Sequence, residues 1–272
     1  MERLGLIAGN GRFPILFAKS AKAKGINVIA VAIKDEASPE IEKYVEKLHW
    51  VGIAKIGKLI KTLKDEQIEK AVMAGGLTKS HIHSKLKLLK FRPDLRTINL
   101  WYKKLRNKHD HSILEAVADE LAKDGIQLIS SIDYVEDLMA KKGCLTKRIP
   151  TEREMSDIEF GWEIAKDIAR LEIGQCIVVK DKIVLAVEAI EGTNEAIRRG
   201  GKLGRGNIVV IKISKKGQDP RFDVPTIGPE TIEHLKEAGG STLAIESEKT
   251  LILDRDEIVE SANKNNISII AI

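Results

Sequence analysis

The chain has 272 residues, 43% of them hydrophobic, 31% charged and 4% aromatic, the composition of a globular protein of about two domains. Cys144 and Cys176 have neither CxxC nor zinc-ligand spacing, and no apolar run reaches the roughly 18 residues of a membrane span, so a disulfide scaffold, a zinc ribbon and an integral membrane protein are excluded and a reducing cytoplasm is the default setting. The formal net charge of +5 is uneven: residues 79–109 hold ten Lys and Arg against Asp94 alone, a local +9, which leaves −4 for the rest.

Leu4–Ala8 and Ile26–Ile33 are short, continuous apolar runs, as strands buried on both faces require. Ala71–Ala74 and Ile126–Ile129 repeat the pattern, and Leu48–Ile53 does so more weakly. Helical periodicity runs through Pro14–Lys24, Pro39–Lys47, Ala54–Glu66 and Ser112–Lys123, and Gly25 and Gly125 stand where a helix-ending glycine belongs. Strand–helix alternation at this spacing predicts an α/β, Rossmann-like, doubly wound parallel sheet. The pattern lapses over 139–153, read as a linker, and domains of 1–143 and 144–272 follow. Thr151 and Glu154 fit a capping box opening a helix to about Leu171. Beyond it, Cys176–Val179 and Ile183–Ala189 flank Lys180-Asp181-Lys182 as a hairpin, Ile208–Ile213 is a strand, and Pro229–Ala238 and Asp254–Asn265 are helices. Leu243–Ile245, Leu251–Leu253 and Ile267–Ile270 complete a mixed α+β domain.

Four stretches carry candidate chemistry. Gly9-Asn10-Gly11-Arg12-Phe13-Pro14 leaves the first strand for a helix, and Ala74-Gly75-Gly76-Leu77-Thr78-Lys79 leaves another. Glycines there let a ligand approach the backbone, and Lys79 has the reach for a phosphate, although neither turn is a GxGxxG or GxxxxGK[ST] motif. In Glu188-Ala189-Ile190-Glu191-Gly192-Thr193-Asn194, two carboxylates with hydroxyl and amide neighbours suit Mg²⁺, with Thr193 the expected helix cap. In 218–229, prolines stiffen the backbone around Asp223, and Thr226 or Gly228 starts the next helix. Lys212, Lys215, Lys216 and the glycine-rich 200–206 are read as mobile cationic groups for a diphosphate.

The basic segment interleaves its charges with Leu86, Leu88, Leu89, Phe91, Leu100, Trp101 and Tyr102. That combination suits an anionic membrane surface, held by charge and so weakened by salt, or a nucleic-acid backbone. His81, His83, His109 and His111 form two HxH pairs, read as solvated or phosphate-facing for want of clustered acids or Cys.

Together, Gly-Asn-Gly-Arg-Phe-Pro, the Ala-Gly-Gly turn, Val187–Asn194 and Arg221–Pro229 resemble the UDP-2,3-diacylglucosamine pyrophosphatases of the LpxI type, nearly end to end and in order. The resemblance implies a dimeric two-domain hydrolase of lipid A biosynthesis. It implies cleavage of the lipid-linked sugar nucleotide to UMP and 2,3-diacylglucosamine 1-phosphate by water attack on the α-phosphorus, with Mg²⁺ or another divalent cation required and the ligand between the domains. Asp223 matches the family's Phe-Asp-x-Pro aspartate, and Glu188, Glu191, Thr193 and Asn194 match its Val-Glu-Ala-x-Glu-Gly-Thr-Asn run. On this reading Asp223 is catalytic, as metal ligand or general base, and the metal ligands are drawn from Asp223, Glu188 and Glu191. Gly9, Asn10, Gly11, Gly75, Gly76, Lys79, Thr193, Asn194, Lys215 and Thr226 bind substrate. A diacyl substrate favours the anionic inner-membrane surface over nucleic acid as the partner of the basic segment, so a cytoplasmic enzyme peripheral to that membrane is expected. The rivals are a nicotinamide-dependent oxidoreductase, with Asp35 as its ribose ligand, and a basic RNA-binding adaptor without enzymatic activity. NAD binding without UMP binding marks the first, and RNA binding that needs residues 79–109 marks the second.

Overall fold

The structure, a computed structural model, describes residues 3–78, 92–104, 110–214, 219, 221, 222 and 224–272, with no side-chain detail at 101–104 and 110–112. The chain divides into two compact units, Met1–Glu136 with Pro220–Phe222, and Asp137–Asp219 with Asp223–Ile272.

The first unit runs β1 (Arg3–Ala8), α1 (Phe13–Ala23), β2 (Asn27–Ile33), β3 (Lys47–Val51), α2 (Ile56–Asp65), β4 (Lys70–Ala74), α3 (Leu95–Lys104), α4 (Asp110–Ala122) and β5 (Gln127–Leu128). Its strands form one parallel sheet in the order β3-β2-β1-β4-β5. β1 is central, and the winding reverses between it and β4, as the alternation of apolar runs and helices predicts. Burial on both faces explains the composition: Leu4, Leu6, Ile29, Ala30 and Val31 are inaccessible to solvent. Two expectations shorten. Pro39–Lys47 is a 3₁₀ turn, Pro39–Tyr44, because Ser38 caps it by accepting from Glu40 N–H while Val45 returns to extended backbone. The strand expected over 126–129 is two residues long.

Of the basic segment, residues 92–104 are described here, and part of their charge is spent internally. Asp94 caps α3 by accepting from the Thr97 amide (2.8 Å), and its other oxygen accepts from the Lys58 amide (3.2 Å). Arg96 pairs with Glu120 and Asp124 on the neighbouring helix and loop. The stretches 79–91 and 105–109, with Lys79, His81, His83 and His109, lie outside the described residues, as does the side chain of His111.

The second unit runs β6 (Gly143–Cys144), α5 (Glu152–Arg170), β7 (Cys176–Lys180), β8 (Ile183–Val187), α6 (Thr193–Gly204), β9 (Ile208–Lys212), β10 (Thr226–Ile227), α7 (Pro229–Glu237), β11 (Gly240–Ile245), β12 (Leu251–Ile252), α8 (Arg255–Lys264) and β13 (Ser268–Ala271). Its main sheet has the order β6-β13-β11-β9-β7-β8, parallel across β13-β11-β9 and antiparallel at both margins. The two-residue period sorts its faces: Ile177, Val179, Val209 and Ile211 pack with α5, whereas Cys176, Val178, Val210 and Leu243 pack with α6, α7 and α8. The expected hairpin turns at Asp181 and Lys182, with φ of 53° and 57°. Both amides donate to the Asp157 carboxylate at 3.0 and 2.7 Å. The stretch 139–153, expected as a linker, instead supplies β6, paired antiparallel to β13.

The glycine-rich 200–206 is also corrected: most of it is helix, not a mobile loop. A Cβ at Gly200 would stand 2.5 Å from Val178, at Gly201 2.6 Å from Ala238, and at Gly204 2.6 Å from Ile208. These glycines therefore let α6 lie close against the sheet and the end of α7. Lys180 closes the C-terminal end of α6, its Nζ donating to the carbonyls of Gly204 (2.7 Å) and Gly206 (2.9 Å).

The capping box at Thr151 and Glu154 forms as expected. Burial opposes ionisation of Glu154, but hydrogen bonds from Arg148, Ser241 and Thr151 outweigh it and hold the carboxyl at about 2. A depressed folded-state pKa contributes stability that is present above the unfolded value and lost as pH falls through the folded one. Stability from this group, about 3 kcal/mol, is therefore complete above about pH 5 and disappears toward pH 2. Acid titration of thermal unfolding should show Glu154→Gln losing less stability than the parent over that window; equal losses would refute the assignment.

Candidate functional site

At the carboxyl edge of the first sheet, the two glycine turns meet. Gly9 N–H donates to Ala74 C=O (2.9 Å), Asn10 N–H to Gly76 C=O (2.8 Å), and Gly76 N–H to Asn10 C=O (3.2 Å). The close approach accounts for three of the glycines. A Cβ on Gly9 would sit 2.2 Å from Gly76 O, one on Gly75 2.3 Å from Asn10 O, and one on Gly76 2.9 Å from Asn10 Oδ1. Gly11, at φ +85°, has open space where its Cβ would be. The Cβ positions of Gly9, Gly75 and Gly76 are thus taken up by the two turns themselves, whereas that of Gly11 faces open space.

Glu36, just past β2, ties the edge together. It accepts from Asn10 Nδ2 (2.8 Å), from the Thr78 amide (3.1 Å) and from Thr78 Oγ1 (3.0 Å). Asp35, the residue that sequence assigns to a ribose in the oxidoreductase reading, stands one place earlier with φ 65°. Glu36 carried no sequence signal beyond its adjacency to Asp35. Lys79 lies outside the described residues.

In the second unit, Glu188 follows β8 and is 8% exposed. The Gln175 amide donates to its Oε2 (3.3 Å) and Thr193 Oγ1 to its Oε1 (2.9 Å). Its own N–H donates to Cys176 C=O at 2.8 Å, extending the pairing of β7 and β8. Thr193 is not the cap of α6 that its sequence position suggests; Gly192, at φ 86°, holds the cap position, which frees the Thr193 hydroxyl for Glu188. Gly174 presses on the same carboxylate residue: its Cβ would stand 2.0 Å from Glu188 O. Glu191 lies 3.0 Å from Arg199 Nη1, and Arg199 Nη2 donates to Val187 C=O (2.7 Å), so one guanidinium braces the whole 187–191 turn. Backbone amides of Glu191 and Ala189, with Arg199, hold the Glu191 carboxyl below the usual range. Asn194 is half-buried in the first turn of α6.

Asp223 and Lys215 lie outside the described residues, but their flanks are seen. Thr226, expected to touch substrate, donates its hydroxyl to Val224 C=O (2.9 Å) and gives its carbonyl to Lys212 Nζ (2.8 Å). The Leu251 amide donates to Pro225 C=O (2.8 Å), and β10 pairs with β12, so the strand after Asp223 is fixed. Lys212 is 9% exposed, a buried group rather than a mobile cation.

Among the described residues there is no cluster of three or more His, Cys, Asp or Glu able to hold a metal. The oxygens of the Glu188 turn are of the kind that Mg²⁺ takes. Gln175, whose backbone amide meets Glu188, also has a buried side-chain Oε1 without a hydrogen-bond partner, and an unmet buried acceptor costs about 1–3 kcal/mol unless a cation or water satisfies it. Sequence reasoning misses Gln175 and Gly174, whose only mark is a glycine before a strand.

Fold and turn together define a two-unit α/β protein with a buried, doubly hydrogen-bonded carboxylate at a strand end. The model of the LpxI N-terminal domain matches residues 3–138, and that of the LpxI C-terminal domain matches residues 141–270. The UDP-2,3-diacylglucosamine pyrophosphatase LpxI of Caulobacter vibrioides is 30% identical over 282 aligned residues, covering 100% of this chain and 98% of the relative. The chain belongs to the LpxI family. Among solved structures, the biotin carboxylase domain of the Hydrogenobacter thermophilus 2-oxoglutarate carboxylase matches at 14% identity and TM-score 0.28, over 64% of this chain and 34% of that one. Phosphoribosylglycinamide synthetase from Anaerococcus prevotii matches at 16% identity and TM-score 0.25, over 72% and 34%. Among the described residues no helix is long and apolar enough to cross a membrane.

Proposed function

We propose that this chain hydrolyses UDP-2,3-diacylglucosamine to UMP and 2,3-diacylglucosamine 1-phosphate. Membership of the LpxI family and the full-length relative support the substrate. The observation that carries the chemistry is Glu188, a buried carboxylate held by the Gln175 amide and the Thr193 hydroxyl within the family's motif. In the reaction, the water oxygen forms a bond to the α-phosphorus and the bridging bond to the sugar 1-phosphate breaks; the water's proton passes to a carboxylate. Asp223 is the residue assigned to orient that water and take its proton. Glu188 is the second carboxylate of the site, and the Thr193 hydroxyl and Gln175 backbone amide hold it in one rotamer.

Asp223, Glu188 and Glu191 are the residues that would hold Mg²⁺, with Gln175 Oε1 as a further oxygen. Bound there, the ion would offset charge on the diphosphate and acidify water. The remaining basic charge of residues 79–109 is assigned to an anionic membrane surface presenting the lipid-linked substrate, and the protein to a homodimer. Leu95, 81% exposed on α3 within that segment, is consistent with a lipid-facing surface.

The test is release of UMP from UDP-2,3-diacylglucosamine by the purified chain, before and after chelation. Activity that disappears with chelator and returns with Mg²⁺ is expected. No UMP from folded protein under either condition would refute the hydrolase, and full activity in chelator would refute the metal.

A further inference from the structure

β9 is Ile-Val-Val-Ile-Lys, and its last residue, Lys212, carries its charge into the interior of the sheet. A buried ammonium is costly unless partnered. Among the described residues its one hydrogen-bond acceptor is Thr226 C=O, at 2.8 Å. Lys212 and Thr226 are the two stems of the 213–225 loop, in whose sequence Asp223 lies. Each stem is also pinned elsewhere: the Ser214 amide and hydroxyl donate to Glu246 Oε2 (2.9 and 2.6 Å), and Thr226 pairs with Leu251 across β10 and β12.

On its other side, Lys212 stands opposite Cys176 in the antiparallel register of β7 and β9. Cys176 C=O accepts the Glu188 amide at 2.8 Å. Burial pushes the Cys176 thiol far up; Glu188 raises it further and Lys212 lowers it, so both charges act on one sulfur. One residue therefore links the two motifs that lie apart in sequence, its backbone reaching Val187–Asn194 through Cys176 of β7 and its side chain reaching Arg221–Pro229 at Thr226. We propose that Lys212 is a positioning residue for the hydrolysis, its buried ammonium fastening the return stem of the 213–225 loop to β9, the strand that pairs with β7 beside the Glu188 turn. The proposal rests on the hydrolase reading above.

Were Lys212 only a packing element, an apolar residue of similar length would serve equally well, since replacing buried charge by matched apolar volume is often neutral or stabilising. Lys212→Met is thus the discriminating variant. It is expected to fold with thermal stability close to the parent, to lose about 10²-fold in kcat and to change KM by no more than about threefold, the pattern of lost transition-state organisation. Lys212→Arg restores part of the rate, and Lys212→Ala is stimulated by ethylammonium but not by ethanol. A folded Lys212→Met variant with kcat within about threefold of the parent overturns the proposal, as does a loss confined to thermal stability. Parent protein that releases no UMP overturns the hydrolase reading, and the positioning role with it.

Discussion

Asp223→Ala lowers the turnover of UMP release by about 10²–10³-fold, equivalent to roughly 3–4 kcal/mol, and Glu188→Gln falls in the same range. Diphosphate cleavage asks little covalent help of a protein. It asks for cations to spread charge and a fixed acid–base group to aim and deprotonate water. The sequence neighbours of Asp223 are held on both sides. Arg221 lies over the Phe222 ring at 4.9 Å on one side. On the other, Val224 C=O, Pro225 C=O and Thr226 C=O each accept a hydrogen bond, from Thr226, Leu251 and Lys212. The alanine variant should unfold near the parent's temperature, because none of those flanking bonds uses the Asp223 side chain. Glu188→Gln is the sharper substitution. It keeps shape and an acceptor for Thr193 or the Gln175 amide, and removes the charge alone. A merely structural Glu188 would cost about 1 kcal/mol of stability and leave the rate intact. Turnover within about threefold of the parent in either folded variant would remove that residue from the mechanism.

The sheet of the first unit was legible because its strands are buried on both faces, and a continuous apolar run as short as Ile26–Ile33, closed off by Gly25 and Lys34, fits a buried strand better than a helix. The second sheet was legible as pieces but not as a topology. Its parallel centre joins β9, β11 and β13 through helices, whereas β6 comes from a charged, Gly-containing stretch with no apolar period. Pairing of two residues to β13 requires backbone groups only, and no pattern of side chains records it. The 200–206 stretch shows the converse failure: glycines in sequence suggest a flexible loop, whereas Gly200 and Gly204, four residues apart, are the small face of a helix against Val178 and Ile208. At the candidate site, the carboxylates were legible by type. What holds them was not, because the Gln175 amide and the carbonyl that Lys212 meets at Thr226 belong to backbone. The cap of α6 is displaced by one residue: Gly192, at φ 86°, takes it and leaves the Thr193 hydroxyl for Glu188.

Gly9→Ala should be among the most damaging single-methyl changes in the first unit. The added Cβ would lie 2.2 Å from Gly76 O and 3.1 Å from Gly76 C, and both are backbone atoms that no rotamer change can move. Relief requires the β1 and β4 turns to part, which breaks the reciprocal bonds of Asn10 with Gly76 and displaces Asn10 from Glu36. Two or three lost hydrogen bonds at about 1 kcal/mol each, with buried groups left unmet, amount to about 3–4 kcal/mol. For a unit of this size that lowers the melting temperature by on the order of 10 °C. Gly11→Ala is the internal control. It meets no atom within 4 Å, so only its positive φ of 85° counts against it, a cost of about 1–2 kcal/mol. Scanning calorimetry of the two variants separates steric closure from backbone strain. If Gly9→Ala melts no lower than Gly11→Ala, the two glycine turns do not hold each other, and Gly9, Gly75 and Gly76 return to the ligand-facing role that their sequence suggests.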